Sequence, residues 1–340
     1  MLQRIKSIFI SIFLLSFSCI GVAETGNDCL RCHDHASVNL SVKQLQNCAQ
    51  CHENLPNADQ LGSEHEILSK IKIDKNDKAV GLTMPMYYQN SRLGDQPNEM
   101  VLIPAGEFIM GTDKRLPDEG PEHKVYLDAY YIDRYEVTNL QYRKFNNETH
   151  RRSPAHFRNR SFPPGKADHP VTFVSWEDAD AYCRWAGKRL PSDEEWEKAA
   201  RGSDGRMFPW GDEFDIKRAN TPLRWKKLSQ FGDTTPVGAF PQGASPYGIM
   251  DMSGNVWEWT ASWYKAYPNN KTVSESYGER YKTLKGGSWF DCSFYNCGIS
   301  APVFNRAFFA KKVKNDSFGF RCAKDANDNK HATNAKDLKK

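Results

Sequence analysis

Gly254-Asn255-Val256-Trp257-Glu258-Trp259 sits within a stretch, from Gly202 to about Gly319, that is rich in Gly, Pro, Trp and polar residues and has few long periodic runs. Such a stretch describes a globular domain with much irregular structure, and a domain of that kind needs staples such as disulfides or bound ions. Upstream the signals become regular. Met100 to Gly111 reads as two short strands around a Pro104-Ala105-Gly106 turn, and Lys124 to Asp133 reads as a further strand. Thr138 caps a helix running to about Asn146. Ser175-Trp176-Glu177-Asp178 opens a helix that stops at Gly187, and the capping box Ser192-Asp193-Glu194-Glu195 opens one that stops near Gly202.

Composition bounds what surrounds this domain. The 340 residues hold 46 Lys+Arg against 42 Asp+Glu, 39% hydrophobic residues, 12% aromatics and nine Cys. That balance excludes a strongly basic nucleic-acid binder, and so many aromatics exclude a disordered chain. Arg4 and Lys6 precede an apolar run from Ile8 to Ile20 and then Gly21-Val22-Ala23. Residues 1–23 therefore read as a signal peptide that delivers the chain to an oxidising compartment, a bacterial periplasm. An uncleaved anchor or a lipoprotein at Cys19 are the competing readings. Cleavage leaves the chain nearly neutral, with no other stretch long enough to span a membrane.

Immediately beyond come Cys29-Leu30-Arg31-Cys32-His33 and Cys48-Ala49-Gln50-Cys51-His52. Each is a C-x-x-C-H, the attachment signature of c-type haem: two thiols reach the two vinyl groups, and the following His33 or His52 gives its imidazole to iron. A zinc ribbon fits the cysteine spacing too, but the His after both pairs and the export signal favour two haems c. Residues 24–61 are too few for an ordinary core, so they read as a small haem-packed segment with little regular structure. His35 and His65 are the nearby candidates for distal ligands. Residues 62–99, with a short charged helical stretch from Glu64 to Lys75, read as a linker, and 326–340 as a polar, disordered tail.

Residues 100–325 resemble the sulfatase-modifying-factor family, to which the formylglycine-generating enzyme belongs. The resemblance is carried in order by Ile103-Pro104-Ala105-Gly106, Ile132-Asp133-Arg134-Tyr135-Glu136-Val137-Thr138-Asn139, His169-Pro170-Val171, Trp185-Ala186-Gly187-Lys188-Arg189-Leu190-Pro191 and Glu195-Trp196-Glu197. It continues through Phe208-Pro209-Trp210-Gly211, the Gly254 to Trp259 stretch, Gly286-Gly287-Ser288-Trp289 and Gly319-Phe320-Arg321-Cys322. It implies an α/β (α+β) fold of low regularity, related to C-type lectins, and a disulfide between Cys183 and Cys322. It also implies that Cys292 and Cys297, with Ser288 beside them, are the catalytic pair, which in the family's oxidases holds Cu(I), activates O2 and oxidises a substrate cysteine. Three residues separate Ser288 from Cys292 here, where the oxidases have two. The competing reading of the pair is a local disulfide or two free thiols in a non-catalytic member. Calcium is implied at the carbonyls of Ser253, Gly254 and Val256 with the Glu258 carboxylate, and at a second loop starting with Asn220 and Thr221; a surface salt bridge is the alternative for Glu258.

Two functions of different class follow. In one, an exported dihaem oxidoreductase uses Cys292 and Cys297 on a protein or peptide thiol and exchanges electrons with a redox partner through the haems. In the other, the large domain is a binding or scaffold module, and the haem segment alone transfers electrons for a partner reductase.

Overall fold

The computed structural model describes residues 90–228, 231–290 and 300–326. The expected signal peptide, both C-x-x-C-H motifs, His35, His65, the Glu64 to Lys75 helix, Cys292, Cys297 and residues 327–340 lie outside those residues.

The first strands are β1 (Met100–Ile103), β2 (Gly106–Met110), β3 (His123–Leu127) and β4 (Tyr130–Asp133). Their pairing departs from the sequence expectation. β1 and β2 flank the Pro-Ala-Gly turn but belong to different sheets: β2 pairs with β3, whereas β1 pairs with β4. The single strand expected from Lys124 to Asp133 is divided at Asp128-Ala129, where the chain leaves one sheet for the other. β4 also pairs with the last strand, β9 (Ala323–Asp325), so both ends of the domain close in one three-stranded antiparallel sheet.

Three helices follow where the capping residues place them: α1 (Asn139–Thr149), α2 (Trp176–Trp185) and α3 (Asp193–Arg201). Each opens with a reciprocal capping box, Thr138 with Gln141, Ser175 with Asp178 and Ser192 with Glu195, which satisfies backbone N–H groups that lack helical partners. α1 runs past Asn146 to Thr149 and ends at His150 in the left-handed conformation. A short α4 (Pro222–Leu228) comes next. The rest is loop around a four-stranded sheet of β5 (Trp257–Trp263), β6 (Lys282–Lys285), β7 (Ala307–Phe309) and β8 (Phe318–Gly319), ordered β7-β6-β5-β8, with β5 and β8 parallel.

The core gathers where α1 and α2 meet β5 and β8. Tyr142, Phe145, Tyr182, Trp185 and Phe320 form a network of edge-on and tilted rings. Cys183 and Cys322 are joined within it as a disulfide, with Cα atoms 5.6 Å apart, both fully buried. The segment read as a linker is part of this body in its last ten residues. The Ser91 hydroxyl and Arg92 N–H bind the Asp168 carboxylate, and buried Asn98 donates to the carbonyls of Tyr135 and Glu136. Among the described residues, no helix is long and apolar enough to cross a membrane.

Candidate functional site

The Gly254 to Trp259 stretch lies in a densely hydrogen-bonded part of the domain. Gly254 (φ +86°) passes so close to the Asn220 carbonyl that a Cβ would lie 2.3 Å from its oxygen. The Asn255 N–H donates to that same carbonyl at 2.8 Å. The Asn255 side chain accepts from the Asn220 amide at 3.0 Å and the Thr235 N–H at 2.9 Å, and donates to Glu136 at 2.8 Å. One asparagine thus ties three loops together, and nothing in its sequence context announces this beyond its place directly after the motif glycine Gly254.

Glu258 is fully buried, and both its oxygens are engaged. Arg321 Nε and one terminal N–H bind them at 2.6 and 2.7 Å, and the Trp196 indole N–H donates at 2.8 Å. Arg321 gives its remaining donors to the carbonyls of Asp133, Arg134 and Met250. Glu258 is thus ion-paired with Arg321 in the interior, not in the surface salt bridge expected as the alternative to calcium. A calcium ion beside Val256 would have to share that carboxylate with Arg321. At the second expected loop the Asn220 side-chain oxygen accepts the Trp225 indole N–H at 2.7 Å, while its amide donates to Asn255 and the Asp233 carbonyl. Neither arrangement leaves a side-chain oxygen uncommitted for a metal, except the buried Thr221 hydroxyl, which has no partner. No chemical step is derived through calcium.

Two more carboxyls face the same cation. Burial first, then the nearness of Asp251 and Glu258, pushes Glu136 well above the ordinary carboxylate range. Burial likewise raises Asp251 to about 6, against the pull of the Gly238 N–H and Arg321. These carboxyls share the Arg321 cation, and burial with their mutual repulsion favours the protonated form of part of the group. A second buried network lies alongside. Lys285 contacts Glu197 at 2.8 Å and Asp193 at 3.4 Å, Arg201 contacts Glu197 at 2.9 Å, and Arg306 contacts Asp193 at 3.1 Å. Burial opposes ionisation of Glu197, but Lys285 and Arg201 prevail and hold it below its usual range.

Ser288 is buried at the end of the Gly286-Gly287 turn, and its hydroxyl is closed on Phe290: it donates to that carbonyl and accepts that residue's N–H. Trp289 is held by its N–H to the Asn255 carbonyl at 3.0 Å. Gly287 (φ +73°) brings this turn against Ser300, whose carbonyl and hydroxyl oxygens would each lie 2.7 Å from an added Cβ. Gly287 and Ser300, which flank Cys292 and Cys297 in sequence, are therefore fastened against each other. Sequence reasoning identified Ser288 but not Gly287, Trp289 and Ser300 as the frame. Of the histidines in the domain, His156 and His169 are half-buried and buried, their rings bonded to Asn139 and Thr234.

A low-regularity α/β body, a disulfide joining α2 to the last strands, and a Gly-Gly-Ser turn shortly before Cys292 and Cys297 in sequence define a class of domain. The chain belongs to the sulfatase-modifying factor enzyme 1-like domain family, which matches residues 88–326. It is 36% identical over 282 residues to the inactive C-alpha-formylglycine-generating enzyme 2 of Bos taurus, across 68% of this chain and 89% of that one. It is 32% identical over 289 residues to the formylglycine-generating enzyme of Bos taurus, across 67% and 75% of the two chains. Among solved structures it resembles PvdO from Pseudomonas aeruginosa, with a TM-score of 0.54 and 27% identity over 72% of this chain and all of that one. The match begins at residue 88, in agreement with the packing of Ser91 and Asn98 on the domain. Relatives named as an enzyme and as an inactive counterpart both align, so family membership leaves catalysis undecided.

Proposed function

We propose that this chain is an exported electron-transfer protein in which a formylglycine-generating-enzyme-like domain presents a two-thiol site at Cys292 and Cys297. Residues 24–61 would carry two haems c, attached through Cys29, Cys32, Cys48 and Cys51, with His33 and His52 on iron and His35 and His65 as candidate distal ligands. The haems would supply one-electron chemistry. Oxidising a dithiol to a disulfide releases two electrons and two protons, the electron count that two one-electron centres take up. The reading of the thiol site is supported chiefly by the close approach of Gly287 to Ser300, which brackets Cys292 and Cys297 in sequence. Soft thiolates at that spacing would also suit Cu(I).

The second reading, a binding or scaffold module beside an electron-carrying segment, is favoured by Ser288. Its hydroxyl is engaged by Phe290 rather than presented toward a substrate. Two measurements on the exported full chain decide between the readings. Covalent haem should be present at two per chain; zinc without haem would overturn the electron-transfer assignment. Reduced protein should bind one Cu(I), and Cys292→Ser or Cys297→Ser should each abolish that binding while leaving haem content unchanged. Equal, weak copper binding in all three proteins would establish the scaffold reading. A parallel calcium titration followed by Tm tests whether the metal displaces Arg321 from Glu258.

A further inference from the structure

Between Glu148 and Asp168 the chain has no acidic residue and carries Arg151, Arg152, Arg158, Arg160 and Lys166. In a chain with 46 basic and 42 acidic residues this is a concentration of charge, not a share of a general excess. Lys166 is neutralised by Asp233, and Arg151 approaches Asp178 at 3.9 Å. The flanking acids are committed as well: Glu148 accepts from the Trp185 indole, and Asp168 binds Ser91 and Arg92. Arg152, Arg158 and Arg160 are exposed.

The tip of this loop is built rather than merely charged. Arg158 and Ser161 exchange N–H to carbonyl bonds at 2.7 and 2.9 Å across a two-residue turn. Both central residues are left-handed, Asn159 at φ 49° and Arg160 at φ 62°. That is the tight hairpin turn which ordinarily takes Asn-Gly, because glycine alone adopts the second position without strain. Here an arginine occupies it, and one of its guanidinium N–H groups is steadied on the Asn146 carbonyl at 3.1 Å. A strained residue where glycine would be easier points to a requirement outside folding.

We infer that this hairpin is a docking finger for an acidic protein surface, with Arg158 and Arg160 as the carboxylate-binding residues. The chemistry favours carboxylates on a protein over a lipid surface, because the loop offers no apolar wedge. Phe157 is buried, Phe162 lies under the Arg143 guanidinium at 4.8 Å, and none of the exposed large hydrophobic residues falls in the loop. It favours them over nucleic acid, because one short hairpin in a near-neutral chain gives no extended cationic track. Planar guanidinium groups, Arg160's steadied on the Asn146 carbonyl, suit the two-oxygen face of Asp and Glu. The inference stands independently of the thiol and haem assignments.

The test uses the full chain and a fluorescein-labelled peptide of about ten alternating Asp and Glu residues as probe, read by anisotropy at several salt concentrations. Three further samples are an Arg158→Glu/Arg160→Glu variant, a Lys217→Glu/Lys271→Glu variant with the same charge change at other exposed positions, and Arg160→Gly. The finger variant should weaken binding at least tenfold and flatten the salt dependence, while the control changes it less than twofold. Arg160→Gly should weaken binding several-fold with Tm unchanged or raised, a result that loss of folding cannot imitate. Equal losses in finger and control variants would overturn the inference by reducing it to net charge. Binding to phosphatidylglycerol vesicles or duplex DNA without binding to the peptide would overturn the partner class.

Discussion

Arg321 is the residue whose replacement tests the description of the interior most severely. Its five N–H groups make five hydrogen bonds, two to Glu258 and three to backbone carbonyls, with no exposed surface. Arg321→Met removes the cation and leaves Glu258 buried beside Glu136 and Asp251. Breaking a buried pair from one side costs about 3–5 kcal/mol, and in a domain of this size each kcal/mol lowers Tm by about 2–4 °C. The expected fall is roughly 6–20 °C in a thermal melt followed by far-UV circular dichroism. Arg321→Lys keeps the charge but has three donors instead of five and cannot grip both Glu258 oxygens in the same plane, so it should lose about 1–3 kcal/mol. Arg321→Met/Glu258→Gln should recover part of the loss, because the stranded charge is gone. The loss should also depend on pH with a definite sign. Asp251 has its folded pKa raised to about 6, so its contribution is fully present below the unfolded value and is lost as pH rises through 6. Without Arg321 that raising becomes larger, and the difference between variant and wild type should grow from pH 5 to pH 8. An Arg321→Lys protein as stable as wild type, or a variant penalty independent of pH, would refute the reasoning.

Three further outcomes can be checked by the same melts. Cys183→Ser should lower stability by about 4–5 kcal/mol on loop entropy, since the bridge spans 139 residues of sequence. Burial first, then Lys166, lowers the pKa of His156 to about 4, so its stabilising neutral form is fully favoured above pH 6.5 and its contribution is lost as pH falls toward 4. His156→Gln should flatten that acid limb by at most about 3 kcal/mol; an unchanged limb would exclude the histidine as its source. Gly287→Ala should cost roughly 1–3 kcal/mol, because a left-handed φ and a Cβ 2.7 Å from Ser300 must both be accommodated; a neutral Tm would show that the turn is not the fastening described.

What could be read from the chain divides by the range of the interactions involved. Thr138, Ser175 and Ser192 announced their helices because a capping box is closed within four residues, and the structure places all three. Strand pairing was not readable in the same way. β1 and β2 are adjacent in sequence, but their partners β4 and β3, and the pairing of β4 with β9, are chosen by packing across the domain. The Cys183–Cys322 bridge came from the family resemblance and not from spacing. Lys285, Glu197, Arg201 and Arg306 escaped notice because charged residues read as surface, although they are among the most buried side chains. The available signal was their setting: Lys285 directly precedes Gly286-Gly287, and Glu197 directly follows Trp196.

These buried charges bear on why so irregular a domain keeps one structure. Loops leave many backbone carbonyls and N–H groups without ladder partners, and burying them unpaired would be costly. Here long cationic side chains reach them. Arg321 collects three carbonyls, Lys198 binds those of Pro104 and Gly106, Arg201 binds those of Gly111, Gly205 and Arg206, and Arg306 binds those of Asp118 and Lys265. Carboxylates such as Glu197 neutralise the cations and take N–H groups, as at Gly111. Hydrophobic replacements of similar volume could preserve the packing but would leave several carbonyls unpaired at once. Buried ion networks elsewhere can often be exchanged for apolar residues at no loss. In this domain the exchange should fail, because the cations also serve as hydrogen-bond partners for loop carbonyls such as those of Pro104, Gly205, Met250 and Lys265.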